Sequence, residues 1–498
     1  MTGILLNDTS YEQDIRELLM AFYPGETFVH EEQENMDRFV RGILDMPAAE
    51  AGADAQQDPG TKFQLEFWEN GSCAGSCVLD VEWKNRTKTK SQIKRELYKI
   101  LQTHTGKELP WGTLTGIRPT KITMAMLEAG ESRENLASYM REMYLTSPEK
   151  TELTIKTAEQ ERSLLAPLDY QNGYSLYIGI PFCPTTCLYC SFTSFPIGQW
   201  KDRTRLYLEA LYHEMQYVAE SMKKPDENGK VPHLETVYFG GGTPTSLSAE
   251  DLDWLLTKLE ETFDLSTVRE LTVEAGRPDS ITREKLQVLR DHKVSRISIN
   301  PQTMKQETLN LIGRHHTVDQ VKECFHMARE LGFDNINMDL IIGLPDESLE
   351  DVRATMEEVK NLDPDSITVH SLAIKRAARL HMWKEKYESL TIQNTQEMID
   401  LTAWYAKEMG MEPYYLYRQK NMAGNFENVG YAKPGKACLY NILIMEEKQT
   451  ILACGAGTST KLVYPAENRV ERVENVKDVT GYIERIEEMI GRKHKFLP

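Results

Sequence analysis

The chain has few cysteines, no long apolar run and no excess of positive charge. It contains 8 cysteines in 498 residues, which is too few for a small secreted fold held together by disulfides. No window approaches eighteen uninterrupted apolar residues, so no transmembrane helix is expected. The first residues carry neither a basic region nor a long apolar region, so no signal peptide is expected. These absences predict a protein of the reducing cytoplasm.

Acidic residues outnumber basic ones by 76 to 58, which gives a formal net charge of -18. Such a balance argues against a general binder of phosphate backbones. One stretch departs from this acidic balance. Between Lys84 and Lys99, seven residues are basic and only Glu96 is acidic. The favoured interpretation is a solvated strand end and helix face, with nucleic-acid contact as the minor alternative.

The chain is too long to fold around one ordinary hydrophobic core, and its pattern of apolar and polar residues predicts three segments. The first predicted segment is an α+β domain of unknown role at residues 1–166. The second is an α/β domain at residues 167–410, and the third is a short α+β region at residues 411–498. In the first, strands at Phe63–Phe67 and Cys77–Trp83 are predicted to be joined through the sequence NGSCAGS. The stretch Trp111–Lys121 fits either a structured turn or a ligand loop. Helices are predicted there at Ser91–Thr103, Thr120–Ala129, Arg133–Tyr144 and Pro148–Leu165.

The second segment alternates strands and helices, which predicts parallel βα units in a barrel or an open sheet. Periodicity alone does not choose between the two. The strands are predicted at Ser175–Ile180, Glu235–Phe239, Glu270–Ala275, Arg296–Ile299, Asn335–Ile342 and Ser366–Leu372. The helices are predicted at Arg203–Met222, Ala249–Thr262, Arg283–Asp291, Val318–Leu331 and Leu349–Leu362. In the third segment, the expected strands are Pro413–Tyr417, Asn441–Met445 and Thr450–Ala453, the last two joined through EEKQ, followed by a helix over Val476–Ile490.

Three cysteines follow the first strand of the second segment in a Cys-x3-Cys-x2-Cys spacing, at Cys183, Cys187 and Cys190. Three thiolates on one loop can hold three irons of a [4Fe-4S] cube and leave the fourth iron open to a small molecule. A zinc site and plain buried thiols are the alternatives, each with a prior of roughly one in twenty. The pair Cys73 and Cys77 is interpreted as incidental, because no third ligand lies near it in the sequence.

Glycines and polar residues follow the other predicted strands, where α/β enzymes build their sites. The turn at Gly240–Gly242 lets backbone approach a ligand without a Cβ in the way. Glu274 and Asp339 can accept hydrogen bonds from amine, ribose or adenine groups, and Arg314 can clamp a carboxylate. Taken singly, each of these polar residues is better explained as a structural cap or salt bridge. Gln302 and Ala373 also lie just beyond strand ends.

Taken in order, these motifs resemble the radical S-adenosylmethionine (SAM) superfamily. More narrowly, the chain resembles the oxygen-independent coproporphyrinogen III oxidases, and within them the HemZ-type coproporphyrinogen dehydrogenase branch. The wider resemblance covers about Ser175–Leu462. It rests on YIGIPFCPTTCLYC at 177–190, FGGGTPT at 239–245, VEA at 273–275, GR-H at 313–315 and DLIIGLP at 339–345. The branch assignment rests on GRPD at 276–279, INPQTM at 299–304 and HSLAIKRAAR at 370–379.

The resemblance implies a partial (β/α)6 radical SAM barrel with an N-terminal α+β domain and a C-terminal α+β lid region. It implies a [4Fe-4S] cluster on the three cysteines and SAM as cofactors, with Tyr177 in the catalytic set. The implied reaction is oxidative decarboxylation of coproporphyrinogen III to protoporphyrinogen IX in haem biosynthesis, with two SAM consumed per substrate. An electron donor of the flavodoxin or ferredoxin type is the implied partner. The implied SAM contacts are Tyr177, Tyr189, Gly241, Gly242, Thr243, Glu274, Gln302, Arg314, Asp339 and, through its backbone, Ala373.

A basic group after the sixth strand, Lys375, Arg376 and Arg379, offers positive charge to a substrate that carries four propionates. The alternative, at even odds, is a charged helix start on the surface. A second, weaker candidate of the same kind is formed by Tyr417, Arg418 and Lys420.

Two positions depart from the pattern of the resembled oxidases. Those enzymes have a further cysteine where this chain has Phe192, and a histidine where it has Gly179. Neither change affects the three cysteines, but both bear on the porphyrinogen step. Two alternatives therefore stay open: a haem-binding chaperone of the same family without oxidase activity, and a radical SAM enzyme acting on another substrate, with RNA as one candidate.

Overall fold

The computed structural model describes residues 1–33, 36–45, 61–82, 84–116, 118–225, 229–373, 390–418 and 426–497. The chain divides into two units. The first comprises Met1–Lys156 together with Arg418, and the second begins at Thr157 and holds the rest of the described chain. No helix in the described ranges has both the length and the apolar character needed to cross a bilayer.

The first unit is a five-stranded sheet with helices, in the strand order β2-β1-β3-β4-β5. Its strands are β1 (Thr2–Leu6), β2 (Phe28–Val29), β3 (Arg38–Asp45), β4 (Lys62–Glu69) and β5 (Ser72–Asp80). Its helices are α1 (Glu12–Phe22), α2 (Arg86–Thr105), α3 (Thr120–Glu128) and α4 (Arg133–Tyr144), and α5 (Pro148–Leu165) continues into the second unit. The sequence prediction of α3, α4 and α5 is confirmed to within one residue at each end.

Buried apolar side chains alternate with more exposed polar ones along β4, and the buried ones contribute to the core of the first unit. Phe63, Leu65 and Phe67 are fully buried and belong to one apolar cluster with residues of α1 and α2. The turn after β4 consists of Asn70 and Gly71, both with positive φ, as two-residue hairpins require. The predicted longer connection is therefore wrong. Cys73, predicted to lie in that connection, belongs to β5, and so does Cys77, the first residue of the predicted second strand.

The basic stretch on α2 is locally compensated by acidic side chains. Lys88 pairs with Glu82, Lys99 pairs with Glu96, and the Lys90 ammonium lies 3.4 Å from Asp14. Lys94 is buried and donates to the Thr115 hydroxyl at 2.8 Å. Burial lowers its pKa to about 8. Much of the positive charge in this stretch is thus already engaged within the unit.

The stretch beginning at Trp111 is a packed turn. Trp111 is fully buried, and the Thr113 amide donates to the Tyr144 carbonyl at 2.7 Å, next to the end of α4. Gly112 lies between them with φ of 52°. A Cβ at Gly112 would overlap the carbonyl oxygens of Tyr144 and Leu145. The closeness of this backbone contact explains why glycine occupies the position.

Gly112→Ala is expected to destabilise the first unit by about 2 kcal/mol or more, because it combines a left-handed backbone with steric overlap. Urea denaturation followed by circular dichroism measures the loss. Gly116→Ala is the matched control, since no atom lies within 4 Å of a Cβ built there. Equal stability of the two variants would contradict the interpretation.

The second unit is built on an eleven-stranded sheet with the order β14-β15-β13-β12-β11-β10-β9-β6-β16-β17-β18. The strands are β6 (Gly173–Ile180), β9 (His233–Gly241), β10 (Glu270–Gly276), β11 (Arg296–Ile299), β12 (Ile336–Ile342), β13 (Ser366–Ser371), β14 (Glu412–Tyr417), β15 (Asn428–Ala432), β16 (Thr450–Cys454), β17 (Ser459–Tyr464) and β18 (Arg469–Glu474). A separate short pair consists of β7 (Phe182–Cys183) and β8 (Phe195–Pro196). All six predicted strands of the second segment are confirmed.

Helices separate most of the parallel strands, as the alternating pattern predicts. They are α6 (Thr204–Met222), α7 (Ala249–Thr262), α8 (Arg283–Asp291), α9 (Gln306–Leu311), α10 (Val318–Glu330), α11 (Leu349–Leu362), α12 (Gln396–Glu408), α13 (Leu439–Glu446), α14 (Val479–Glu484) and α15 (Ile486–His494). Side chains at the starts of α7, α8, α10, α11, α12 and α14 accept hydrogen bonds from the first turn, with full capping boxes at Thr317 and Ser348.

The sheet is parallel from β16 through β13 and ends in antiparallel strands at both edges. Its residues are buried along most of the parallel strands, as expected when both faces are covered. The carboxyl ends of β6, β9, β10, β11, β12 and β13 meet at one edge of the sheet. The loop with the three cysteines and most of the predicted site residues lie at that edge.

The C-terminal segment differs from its prediction in two places. Asn441–Met445 is part of helix α13, so the predicted hairpin with the next strand is wrong. β16 instead pairs in parallel with β6, from Thr450 opposite Tyr174 to Cys454 opposite Ile178. The single predicted helix over Val476–Ile490 is two short helices, α14 and α15.

Candidate active site

The three loop cysteines lie close to one another after β6. Cys183 ends β7, and the Cys190 amide donates to the Cys187 carbonyl at 3.3 Å. Burial raises the pKa of the Cys183 thiol to about 11, with further contributions from the other two cysteines, and burial also raises the pKa of Cys190. These two thiols are therefore protonated at neutral pH, and a metal that binds them would have to displace their protons.

Contacts to the turn after α9 hold the cysteine loop in place. The Leu188 amide donates to the Ile312 carbonyl at 2.9 Å, and the Thr185 hydroxyl donates to the Gly313 carbonyl at 3.0 Å. In the described ranges, no three His, Cys, Asp or Glu side chains converge on a single metal ion.

The glycine turn after β9 packs directly against the loop. The Gly242 amide donates to the Ile180 carbonyl and the Thr243 amide to the Phe182 carbonyl, each at 2.7 Å. A Cβ at Gly242 would lie 2.5 Å from the Phe182 carbonyl oxygen. Backbone can approach the cysteines this closely only because the residue is glycine. The Thr243 hydroxyl lies 3.4 Å from the Cys183 sulfur.

Tyr177 stacks within a group of three tyrosines. Its ring centroid is 6.0 Å from those of Tyr238 and Tyr440, which are 4.5 Å from each other. The Tyr238 hydroxyl donates to the carboxyl group of Glu274. Burial raises the pKa of Glu274 to about 7. A nearby cation would favour the ionised form of this carboxyl group.

Gln302 has a strained backbone and an unused amide oxygen. Its φ is 69°, and backbone hydrogen bonds of 3.0 Å to Asp339 and Ile341 hold it there. The Oε1 atom is buried and has no hydrogen-bond partner. Strain of this kind in a cleft often accompanies a binding role, and an unpaired buried acceptor needs a donor.

Asp339 is oriented by its neighbours. The Asn337 amide donates to its carboxylate at 2.7 Å, and the His370 imidazole lies 3.9 Å from it. Burial alone would raise the pKa of Asp339, but His370 and these hydrogen bonds outweigh that effect and hold it below its ordinary value. His370 in turn lies 3.3 Å from the Tyr417 hydroxyl.

Arg314 contacts the cysteine loop through Tyr189. It is buried, and it donates to the Tyr189 hydroxyl at 3.1 Å and to the Asn300 carbonyl at 2.5 Å. Its Nε atom has no partner. Arg314 therefore positions Tyr189 in this structure, and its contact with a ligand carboxylate stays a prediction.

The structure gathers most of the predicted site residues at one edge of the sheet. Ala373 lies two residues beyond β13 at the same edge. Lys375, Arg376, Arg379 and Lys420 lie outside the described residues. Sequence reasoning missed Tyr238 and His370, although each lies on a predicted strand and contacts the carboxylate of an assigned residue on the neighbouring strand.

The residues fit a [4Fe-4S] cluster and SAM. The loop provides three adjacent thiols, the glycine turn leaves room for backbone contact, and two buried polar atoms nearby, Gln302 Oε1 and Arg314 Nε, lack partners. Three cysteines leave one iron of a cube without a protein ligand. Carboxylates at Glu274 and Asp339 provide acceptors for amine and hydroxyl groups of a ligand.

Glu274→Gln tests the buried carboxyl group in the cofactor-free protein. Because the folded-state pKa is raised, the folded chain holds a proton that the unfolded chain releases between pH about 4.5 and about 7. Wild-type stability relative to the variant is expected to fall by ~3 kcal/mol as pH rises through this window. Urea denaturation at several pH values measures it, with the exposed Glu250→Gln as control. Parallel curves for wild type and Glu274→Gln would contradict the assignment.

Comparison with known proteins adds independent findings. The family model described as the radical SAM superfamily matches residues 177–359. The oxygen-independent coproporphyrinogen-III oxidase-like protein HemZ of Bacillus subtilis is 43% identical over 410 residues, which cover 82% of this chain and 81% of HemZ. The heme chaperone HemW of the same organism is 31% identical over 60% of this chain and 76% of its own length.

A solved structure shows the same fold. Coproporphyrinogen III oxidase (HemN) from Escherichia coli, described as a radical SAM enzyme, superposes with a TM-score of 0.50 and 22% identity. The match covers 66% of this chain and 72% of that one. At this identity the likeness concerns the fold alone.

Proposed function

Since the chain belongs to the radical SAM superfamily and to the family of the coproporphyrinogen-III oxidase-like protein HemZ, we propose that it oxidatively decarboxylates coproporphyrinogen III to protoporphyrinogen IX. The observation that carries the proposal is the convergence of three cysteines, the glycine turn and the Glu274, Gln302 and Asp339 side chains at one sheet edge. Similarity to HemZ and the name of that relative support the choice of substrate.

When bound, the reduced cluster and SAM would supply reductive cleavage of SAM and abstraction of one substrate hydrogen atom, with carbon dioxide and one electron then leaving each propionate. Cys183, Cys187 and Cys190 would hold the cluster. The turn at Gly241, Gly242 and Thr243 would present backbone groups to the amino-acid part of SAM.

The remaining polar residues would orient the cofactor. Glu274 and Asp339 would accept from amine or hydroxyl groups, and the free oxygen of Gln302 would accept a further hydrogen bond. The aromatic group of Tyr177, Tyr238 and Tyr440 would exclude water from one side of the site. Fixing reactants in this way is the main contribution that a protein makes to cofactor chemistry.

The test is an anaerobic assay of reconstituted, reduced protein with SAM and coproporphyrinogen III. We expect stepwise loss of two carboxyl groups by mass analysis, with two 5′-deoxyadenosine per protoporphyrinogen. Omission of SAM is the control. Deoxyadenosine without any change in the tetrapyrrole would refute the substrate and leave the cofactor assignment standing.

A second candidate, haem binding without oxidation, is favoured by two positions. A Cβ at Gly179 would overlap the Thr458 methyl group, so the place where the resembled oxidases carry histidine has no room for a side chain. Phe192, where those enzymes carry a further cysteine, is 70% exposed. Haem titration by absorption separates the candidates: tight haem binding together with an unchanged tetrapyrrole in the assay would favour the chaperone.

A further inference from the structure

Each loop cysteine has one polar side chain near its sulfur. The Thr243 hydroxyl lies 3.4 Å from Cys183 Sγ, and the Ser194 hydroxyl lies 3.9 Å from Cys190 Sγ. The partner of Cys187 is different in kind, because it is the guanidinium of Arg277. Its Nη1 donates to Cys187 Sγ at 3.7 Å. Among the described residues, this is the one charged donor to a loop sulfur.

Arg277 is fixed from two sides. It is only 3% exposed, and the same Nη1 donates to the Thr185 carbonyl at 3.1 Å and to the Thr185 hydroxyl at 2.7 Å. On the other side, Nε and Nη2 donate to the two oxygens of Asp279 at 3.0 and 2.6 Å. A guanidinium held in this bidentate manner keeps one orientation. The Cys187 sulfur therefore faces a positive charge whose position does not depend on solvent.

A positive charge beside the Cys187 sulfur affects the reduction potential of an iron–sulfur cluster bound to that sulfur. Reduction adds one negative charge to an iron–sulfur cluster, and hydrogen bonds and positive charge near its sulfurs favour the reduced state. Burial strengthens the interaction, because little water screens it. Asp279 opposes the effect, since its negative charge lies on the far side of the same guanidinium.

We propose that Arg277 raises the reduction potential of the cluster held by Cys183, Cys187 and Cys190, and that Asp279 limits the rise. Arg277 is then a positioning and redox-tuning residue. The inference rests on the cluster assigned under the proposed function, but it is independent of which substrate the enzyme uses. It determines how strong a reductant the electron donor has to be.

The test is a redox titration of the reconstituted protein, followed by electron paramagnetic resonance of the reduced cluster. Arg277→Met is expected to make reduction about tenfold less favourable, which for a one-electron couple is a shift of 59 mV to more negative potential. Asp279→Asn is expected to shift the potential in the opposite direction. A purely structural role would not produce this reversal, since both variants break the same ion pair.

Arg329→Met is the matched control. Arg329 forms a similar pair with Asp365 at 2.6 Å, before the amino end of β13 and thus at the end of the sheet away from the cysteines, so an unchanged potential is expected. Equal potentials for wild type and Arg277→Met, or shifts of the same sign for Arg277→Met and Asp279→Asn, would overturn the inference.

Three further outcomes are also decisive. If Arg277→Met fails to retain iron, the Asp279→Asn potential decides alone: a positive shift supports the inference and any other result overturns it. A wild-type protein that assembles no cluster would overturn the proposed function and this inference together. An assembled cluster with no shift in either variant would overturn the inference only.

Discussion

Replacing Cys187 with alanine is expected to abolish cluster assembly. Cys187 is the middle cysteine of the loop, and its sulfur is the one that Arg277 contacts. Without it, only two thiols would remain for a four-iron cube, and SAM cleavage is expected to fall by more than the 10–100-fold typical of changes outside the ligand set. Iron and sulfide content, the visible absorption spectrum and deoxyadenosine formation measure the result.

Cys73→Ala is the matched control for this experiment. Cys73 lies on β5 in the first unit and is exposed, so the same substitution is expected to leave iron content and SAM cleavage unchanged. A Cys187→Ala protein that retains a full cluster would refute the ligand assignment. The experiment tests the cluster and does not choose between oxidase and chaperone, because both would need the same three cysteines.

The second large effect is expected from Lys493→Met. Lys493 and Glu214 form a fully buried ion pair, with Nζ 2.5 Å from the carboxylate. Asn475 donates to the same carboxylate at 2.8 Å, while the Gly455 amide and the Tyr482 hydroxyl donate to its other oxygen. Removing the lysine leaves a buried carboxylate without its counter-charge, which typically costs 3–5 kcal/mol.

Urea denaturation of the cofactor-free protein measures this loss. The control is Lys223→Met, which removes an exposed pair with Glu220 and is expected to change stability by at most ~1 kcal/mol. The double variant Glu214→Gln/Lys493→Met should recover part of the loss, because it no longer buries an unpaired charge. Equal stability of Lys493→Met and the control would contradict the role assigned to the pair.

This network also bears on the site. Glu214 holds the Gly455 amide at 2.8 Å, and Tyr207 donates to the Gly179 carbonyl at 2.6 Å and accepts from the Ala456 amide at 3.1 Å. Gly179 lies in β6, directly before the cysteine loop. The last helices of the chain therefore support the strand that carries the loop, so Lys493→Met is also expected to weaken cluster retention.

Local patterns were sufficient for much of the fold. The boundaries of α4 and α5 follow from serine caps, since Ser132 and Ser147 accept from the backbone of the first turns. The parallel strands are predictable because they are continuous apolar runs separated by helical repeats. The cysteine spacing predicts a cluster for a similar reason, since all three proposed ligands lie within eight residues of sequence.

The prediction for Asn441–Met445 failed because the contacts that decide its structure come from residues far away in sequence. The apolar stretch at Asn441–Met445 fits a strand as well as a buried helix, and periodicity cannot separate short segments of this kind. Its first turn is fixed by Glu270, which accepts from the Leu439 and Tyr440 amides at 2.8 and 3.3 Å. A carboxylate about 170 residues away in sequence thus caps this helix, and the residues near Asn441 do not predict that contact.

The sequence by itself determined the chemistry that the chain can hold: three thiols on one loop, a glycine turn and the order of strands and helices around them. These are short-range properties of spacing and residue type. Only the tertiary structure decided that β16 joins the parallel sheet beside β6, that Arg314 supports Tyr189, and that Arg277 faces the Cys187 sulfur. Such contacts depend on which buried surfaces meet when distant segments pack, and the charge and burial they create set the pKa of Glu274 and the environment of the cysteines.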